Sequence, residues 1–348
     1  MKAKDFMFQS TWSAPSNIAF VKYWGKKEIQ KPMNPNISGT LSECRTQTQV
    51  KVLKSSNFLL NFSFEGRQNQ SFAEKLKKIL IKRIAPELKF DVDKFQFDIQ
   101  SLNTFPHSCG IASSASFYAS LALCLTEIEN SLLGQKVSKE EFFNRASFLA
   151  RLGSGSASRS LFSPFVSWGD TSEEFSHQIQ IEHHAFQQVG DSIVVIDDSE
   201  KKVGSSVGHS LMDDHIYREK RLMNAKKNYD SVLEALQTGD WKEFINILEK
   251  EALELHALMM TSNPQFLLLR PDTIAVIEKL YSFRSKNNAS IGFTLDAGPN
   301  IHLIYPLYEK ELMLEFVEQC RLEFNISKVI YDEIGGEPKK HEVFGEIE

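Results

Sequence analysis

Hydrophobic positions along this chain recur with two periods, and the switches between them mark its elements. Residues 46–53 and 95–101 alternate apolar and polar side chains, as strands with one buried face do. Between them Phe72, Leu76, Ile79, Leu80 and Ile84 share one helical face, which predicts a helix over 72–84. Earlier in the chain, an apolar strand ends near Val21 and delivers Lys22, Tyr23, Trp24, Lys26 and Lys27 into one short loop. After residue 101 a polar loop closes on 106–110 and runs into a small-residue helix over 113–129. A helix over 139–151 stops at Gly153-Ser154-Gly155-Ser156, which reads as too flexible to continue it, and an apolar strand follows at 165–168.

The second half changes pattern. Strands are expected at 178–182 and 191–197, then long amphipathic helices over 213–238 and 241–260. A helix over 271–285 opens with Pro271 in the first turn, where a missing N–H costs nothing. Strands at 290–296 and 300–305 flank the turn Ala297-Gly298-Pro299, a helix over 308–321 follows, and the last strand covers 328–331. The order β, helices, β, β, α, β is that of a split βαβ, ferredoxin-like unit, with a domain boundary between 185 and 192. No internal repeat and no low-complexity linker interrupts it.

Length and composition narrow the class. At 348 residues the chain suits two domains or one large one, and 42% hydrophobic with 24% charged residues excludes a disordered or collagen-like protein. Forty Lys and Arg against 45 Asp and Glu, a net charge of −5, leave no overall footprint for nucleic acid or an anionic membrane. No apolar run approaches the roughly 18 residues of a bilayer span, and Asp5 and Gln9 break any secretory apolar stretch. Cys44, Cys109, Cys124 and Cys320 share no C-x-x-C spacing, so free thiols in a reducing cytoplasm are expected and a zinc site is not.

Four segments can carry chemistry. Residues 106–116, PHSCGIASSAS, form a glycine-bearing loop opening a helix, which suits a nucleotide phosphate; a tightly packed alanine-serine helix is the plainer reading. Residues 14–27 place Lys22, Lys26 and Tyr23 where they can reach phosphate oxygens, or simply form a solvated surface around Trp24. Residues 151–160 end a glycine-serine loop at Arg159, whose planar fork suits a carboxylate or phosphate; a flexible linker is the alternative. Asp296 ends an apolar strand at a glycine turn and is therefore aimed, as a base, an electrostatic stabiliser or a turn cap. Phosphoryl transfer needs a phosphate cradle, cations and a group at the attacking hydroxyl, and the four segments together supply all three.

In this order and spacing, APSNIAFVKYWGKK, GIASSAS, ARLGSGSASRS and TLDAGPN resemble the diphosphomevalonate decarboxylases of the GHMP kinase superfamily. The resemblance spans residue 14 to about 305 and implies a GHMP kinase-like, two-domain α+β fold. Residues 1–188 are expected to form an N-terminal α/β, ATP-binding domain and residues 189–348 a ferredoxin-like domain, with the active site between them. It also implies the reaction: ATP phosphorylates the 3-hydroxyl of mevalonate 5-diphosphate, and phosphate and carbon dioxide leave to give isopentenyl diphosphate. Asp296 matches the catalytic aspartate, Lys22 the lysine beside it, and Arg159 the arginine that holds the substrate carboxylate, with Asn17, Ser154 and Ser156 nearby. Tyr23 and Lys26 match diphosphate contacts. Gly110, Ala112, Ser113 and Ser114 match the ATP phosphate loop, with Ser113 or Ser114 the candidate magnesium ligand. A cytoplasmic homodimer binding only small molecules is the family expectation.

Two departures stand out. Many relatives carry two serines, a basic residue and then Gly-Met, where this chain has Gly204-Ser205-Ser206-Val207-Gly208-His209. Residues 66–75 also lack an arginine-bearing pattern, although Arg67 is near. The alternatives are therefore a decarboxylase acting on mevalonate monophosphate, a GHMP-type kinase that stops after phosphorylation, and a catalytically silent binding protein. Lys22, Lys26, Lys27 and Arg159 are expected to converge on one cleft.

Overall fold

The computed structural model describes residues 7–106, 111–199 and 205–346. A long antiparallel ribbon, β1 (Phe8–Val21) with β2 (Asn36–Lys54), forms the spine of the first sheet. The chain then adds β3 (Leu59–Phe64), β4 (Arg67–Gln68) and α1 (Gln70–Ile79), whose last turn widens into a π turn over Leu80–Ile84. β5 (Phe95–Asn103) lies between β2 and β3, antiparallel to the first and parallel to the second.

Two helices, α2 (Ser113–Leu133) and α3 (Lys139–Gly153), cover one face of this sheet. The small polar residues of α2 have a packing reason. Ser116 and Ser120, one turn apart, bond hydroxyl to hydroxyl with Thr46 and Thr48, two apart on β2, at 2.5 and 2.7 Å. Helix and strand periods thus meet in register, and buried polar atoms are satisfied without bulk. β6 (Phe165–Trp168) pairs with the far end of β2 and with β7 (His177–Gln178). The strand expected over 178–182 is reduced to β7. Its partner β6 is only four residues long, so after the bond from Ile179 N–H to the Phe165 carbonyl no ladder remains.

The second sheet is built from β8 (Val189–Val195) and, after four helices, β9 (Gly292–Leu295), β10 (Ile301–Pro306) and β11 (Lys328–Glu333). Those helices are α4 (Ser205–Ser210), α5 (Arg218–Thr238), α6 (Trp241–Met260) and α7 (Pro271–Asn287); α8 (Lys310–Glu323) connects β10 to β11. The order β11-β8-β10-β9, antiparallel throughout, is the split βαβ arrangement expected from the hydrophobic pattern. The helix expected from 213 begins at Arg218 instead. The His215 ring explains the delay: it accepts the Tyr217 N–H at 3.1 Å and lies 2.9 Å from the Leu258 carbonyl, fixing a turn where the helix would start.

One apolar core joins the two sheets. Ile18, Phe20 and Ile37 of the first pack with Ile193, Val195 and Ile304 of the second, and Phe244 and Leu248 of α6 fill between them. The buried Asp332 carboxylate adds a polar tie, accepting the backbone N–H groups of Glu43 and Cys44 at 2.9 and 2.8 Å. Finally β12 (Lys339–Lys340) returns to the first sheet and pairs with Trp12 and Ser13 of β1. Among the described residues Cys44, Cys124 and Cys320 are free thiols.

Candidate active site

Two strands from different sheets end at one place. Lys22 follows the end of β1 and Asp296 the end of β9, and their side chains meet with Nζ 3.1 Å from Oδ1. Lys22 is 2% exposed whereas the Asp296 side chain is 30% exposed, so the carboxylate is the reachable member. Burial pushes the Lys22 pKa down, opposed by the charge and hydrogen bond of Asp296. The lysine also donates to the Ala19 carbonyl at 2.6 Å. Asp296 is aimed by its own backbone: its carbonyl accepts the Gly298 N–H at 2.7 Å and lies 3.1 Å from Nε2 of His256.

The backbone of Lys22 is held from both sides. Its N–H donates to Glu251 at 2.8 Å, and its carbonyl accepts from Arg221 at 3.0 Å and Asn34 at 3.1 Å. Arg221 and Glu251 form a fully buried bidentate pair at 2.7 and 2.8 Å, to which Asn228 donates as well. These residues were not foreseen, yet the sequence carries a signal. Arg221 shares a helical phase with Ala225, Asn228 and Val232, and Glu251 with Phe244, Leu248 and Leu255. A charge inside an apolar stripe marks a buried partner.

Arg159 is buried among polar side chains of β1 and β2. It donates to Ser38 at 3.0 Å, to Asn17 at 3.2 Å and, closely, to Asn36, while Asn17 in turn donates to Ser160 at 2.8 Å. Three of the five guanidinium N–H groups are thereby used, which leaves two for an anion. Burial lowers its pKa to about 10, with Asp296 and Tyr23 acting in the other direction, so it remains cationic near neutral pH.

The glycine-serine stretch before Arg159 is an ordered 3-10 segment, Gly155–Leu161, most of it buried. Its glycines serve close approach rather than mobility. A Cβ on Gly153 would lie 2.1 Å from the Tyr118 ring, and one on Gly155 would lie 2.5 Å from the Tyr23 hydroxyl. Gly155→Ala is accordingly expected to cost about 1–3 kcal/mol by overpacking, read as a shift of the urea midpoint. Ser154 and Ser156 sit half-buried at the start of this segment.

Tyr23 donates to the Gln30 carbonyl at 2.9 Å and packs on Trp168 and His209. Half-buried Lys26 has its pKa lowered by burial and then by Arg83. Arg83, in the π turn, also acts electrostatically on Tyr23, after Arg159 and Arg151. Arg83 lies on the same helical phase as Leu76 and Leu80, the signal by which it could have been found. Lys27 does not join them: it is exposed and pairs with Glu173 at 2.6 Å. Arg151 also turns away, to Glu174 at 2.6 Å.

At the start of α2, Ala112 offers no side-chain cap, Ser113 is half-buried and Ser114 exposed, while Gly110 lies outside the described residues. An uncapped first turn leaves N–H groups and the positive helix end for an anion. Hydroxyl oxygens suit magnesium that keeps water and phosphate as its main ligands. Among the described residues no group of three His, Cys, Asp or Glu side chains could hold a metal.

Comparison with known proteins adds independent findings. Residues 14–178 match the diphosphomevalonate decarboxylase-like N-terminal domain and residues 192–342 the mevalonate 5-diphosphate decarboxylase C-terminal domain. The chain is 28% identical over 344 residues to a diphosphomevalonate decarboxylase of Rattus norvegicus, covering 93% of this chain and 82% of that one. The crystal structure of mevalonate diphosphate decarboxylase from Staphylococcus aureus superposes with a TM-score of 0.83 at 28% identity, covering 96% and 98%. A protein abbreviated MDDEF, in complex with MVAPP, AMPPCP and magnesium, gives 0.82 at 28% identity over 96% and 99%.

Proposed function

The chain belongs to the diphosphomevalonate decarboxylase family of the GHMP kinase superfamily, and from that premise we propose how its own residues perform the family's reaction. It uses ATP and magnesium to convert mevalonate 5-diphosphate to isopentenyl diphosphate. Asp296 orients the tertiary 3-hydroxyl and takes its proton as the new O–P bond forms. Lys22 holds that carboxylate in place and offsets negative charge on the transferring phosphoryl group. The two remaining Arg159 N–H groups grip the substrate carboxylate, with Asn17, Ser154 and Ser156 around it. When the C–C bond to the carboxylate breaks, its electron pair becomes the double bond and the phosphorylated oxygen departs with phosphate.

Tyr23 and Lys26 take the 5-diphosphate, and Gly110, Ala112, Ser113 and Ser114 take the ATP phosphates. Magnesium, when bound, neutralises phosphate charge there, and the hydroxyls of Ser113 and Ser114 are its offered ligands. The observation that carries this reading is the Lys22–Asp296 contact at 3.1 Å within electrostatic reach of Arg159. The proposal extends to a cytoplasmic homodimer, both carried over from the family. Among the described residues no helix is long and apolar enough to cross a membrane.

Measuring ADP and carbon dioxide with mevalonate 5-diphosphate and, separately, the 5-phosphate is the direct test. Equal release of both products from the diphosphate, with little from the monophosphate, is expected. ADP without carbon dioxide would identify a kinase, and neither product would overturn the assignment.

A further inference from the structure

We propose that His209 is a diphosphate-binding residue: its ring, fixed by Gly25 and by two flanking aromatic rings, presents Nε2–H to the 5-diphosphate of the substrate. The inference rests on the substrate reading above and assigns a contact within it that the four sequence motifs do not contain.

The geometry leaves His209 little freedom. Its ring is buried against two aromatic rings, Tyr23 with centroids 4.4 Å apart and Trp24 at 4.9 Å, both in tilted contact. Its Nδ1 accepts the Gly25 N–H at 3.1 Å. A nitrogen accepting an N–H carries a lone pair, so the ring proton resides on Nε2. Among the described residues Nε2 has no partner. Gly208 explains why α4 can press so closely, since a Cβ there would lie 2.3 Å from the Trp24 ring.

The surroundings are those of an anion site. Burial first, and then the charges of Lys26 and Arg159, hold the His209 pKa down to about 3. A third cation would be repelled in this field, whereas an uncharged donor is not. The ring therefore offers a directed hydrogen bond beside Lys26, the cation that takes phosphate oxygens. His209 also addresses the departure around Ser206 and Val207. Val207 is 48% exposed and apolar, while His209, two residues on, is turned inward onto Tyr23 and Gly25.

Two substitutions separate a ligand contact from a packing role. In His209→Asn the amide oxygen can still accept from Gly25, but no donor reaches the Nε2 position. In His209→Gln the amide nitrogen replaces Nε2–H, while the acceptor for Gly25 is lost. The expected result is a KM for mevalonate 5-diphosphate raised about tenfold or more in His209→Asn, from loss of one hydrogen bond to a charged group. In that variant kcat and the KM for ATP stay within about twofold of wild type, as loss of uniform binding requires. His209→Gln should stay near wild type, and inorganic pyrophosphate as a competitive inhibitor should follow the same pattern.

The reverse pattern, rescue by Asn and not by Gln, would show that His209 only anchors the Gly25 loop and would overturn the proposal. A rise in the ATP KM in step with that for substrate would do the same. In the unsubstituted protein, histidine 15N spectra should show Nε2 protonated and Nδ1 bare from about pH 5 to 8, with the Nε2 proton moving downfield on adding mevalonate 5-diphosphate. A ring that titrates in that range, or a proton that does not move, also overturns it. If the wild-type enzyme releases no carbon dioxide from mevalonate 5-diphosphate, the substrate reading itself fails. Wild-type activity with an unaffected His209→Asn removes the histidine contact alone.

Discussion

Asp296→Asn is expected to lower turnover at least about 100-fold while ATP still binds. The amide keeps the size and the backbone turn but removes the negative charge from the cleft. Its effect does not stop at Asp296. The aspartate is the main group opposing the burial that pulls the Lys22 pKa down, so without it the lysine loses its proton at lower pH. One substitution therefore weakens both charges of the pair, and the alkaline limb of the residual rate profile should shift to lower pH. Coupled ADP and carbon dioxide assays, with nucleotide binding followed by fluorescence, measure both parts. Turnover close to wild type would show that the carboxylate takes no part in the chemistry.

Glu251→Ala should have the largest effect on stability, about 3–5 kcal/mol, because it leaves the Arg221 guanidinium buried without its main counter-ion. Glu254, 3.2 Å from the same guanidinium, moderates the loss but is only one arm of the arrangement. The Lys22 N–H and the Asn228 amide lose their acceptor at the same time. The double change Arg221→Met with Glu251→Leu is more informative, since well-packed apolar replacements of buried pairs are often neutral for stability. It should recover most of the denaturant midpoint, short of the part owed to the Lys22 N–H and the Asn228 amide, yet remain slow, because Lys22 is then no longer bracketed and Nζ is free to drift from Asp296. A single-variant cost below about 1 kcal/mol would mean that the pair is not the support assigned to it.

The groups that meet at the cleft differ in how visible they are along the chain. Lys22 and Asp296 were legible because each closes an apolar strand, and the ferredoxin-like order was legible because its strands and helices have clean periods. Gly153 to Ser156 carried the opposite message. Glycine beside serine suggests mobility, but the rings that demand those glycines belong to Tyr118 and Tyr23, distant in sequence and invisible to any local pattern. Arg83, Arg221 and Glu251 were hidden for a related reason: each sits on the apolar phase of its helix, where a charge is easily passed over as noise. His209 was noticed only as a departure from relatives, and its use depends on a contact with Gly25 across the fold. β12 could not be foreseen, since two paired residues generate no period.

That last short strand has a consequence for how the molecule is made. His341 beside β12 bonds with Ser13 across 328 positions, Lys340 pairs with Glu127, and the Glu337 carbonyl takes the Arg45 guanidinium. On the ribosome, β1 emerges long before these partners exist. Until β12 follows, the edge of β1 at Trp12 and Ser13 presents unpaired N–H and C=O groups, the kind of template that recruits foreign strands. β12 covers that edge at Trp12 and Ser13, and it is translated after the entire second sheet, so this stretch of β1 waits for its partner while the rest of the fold is being made.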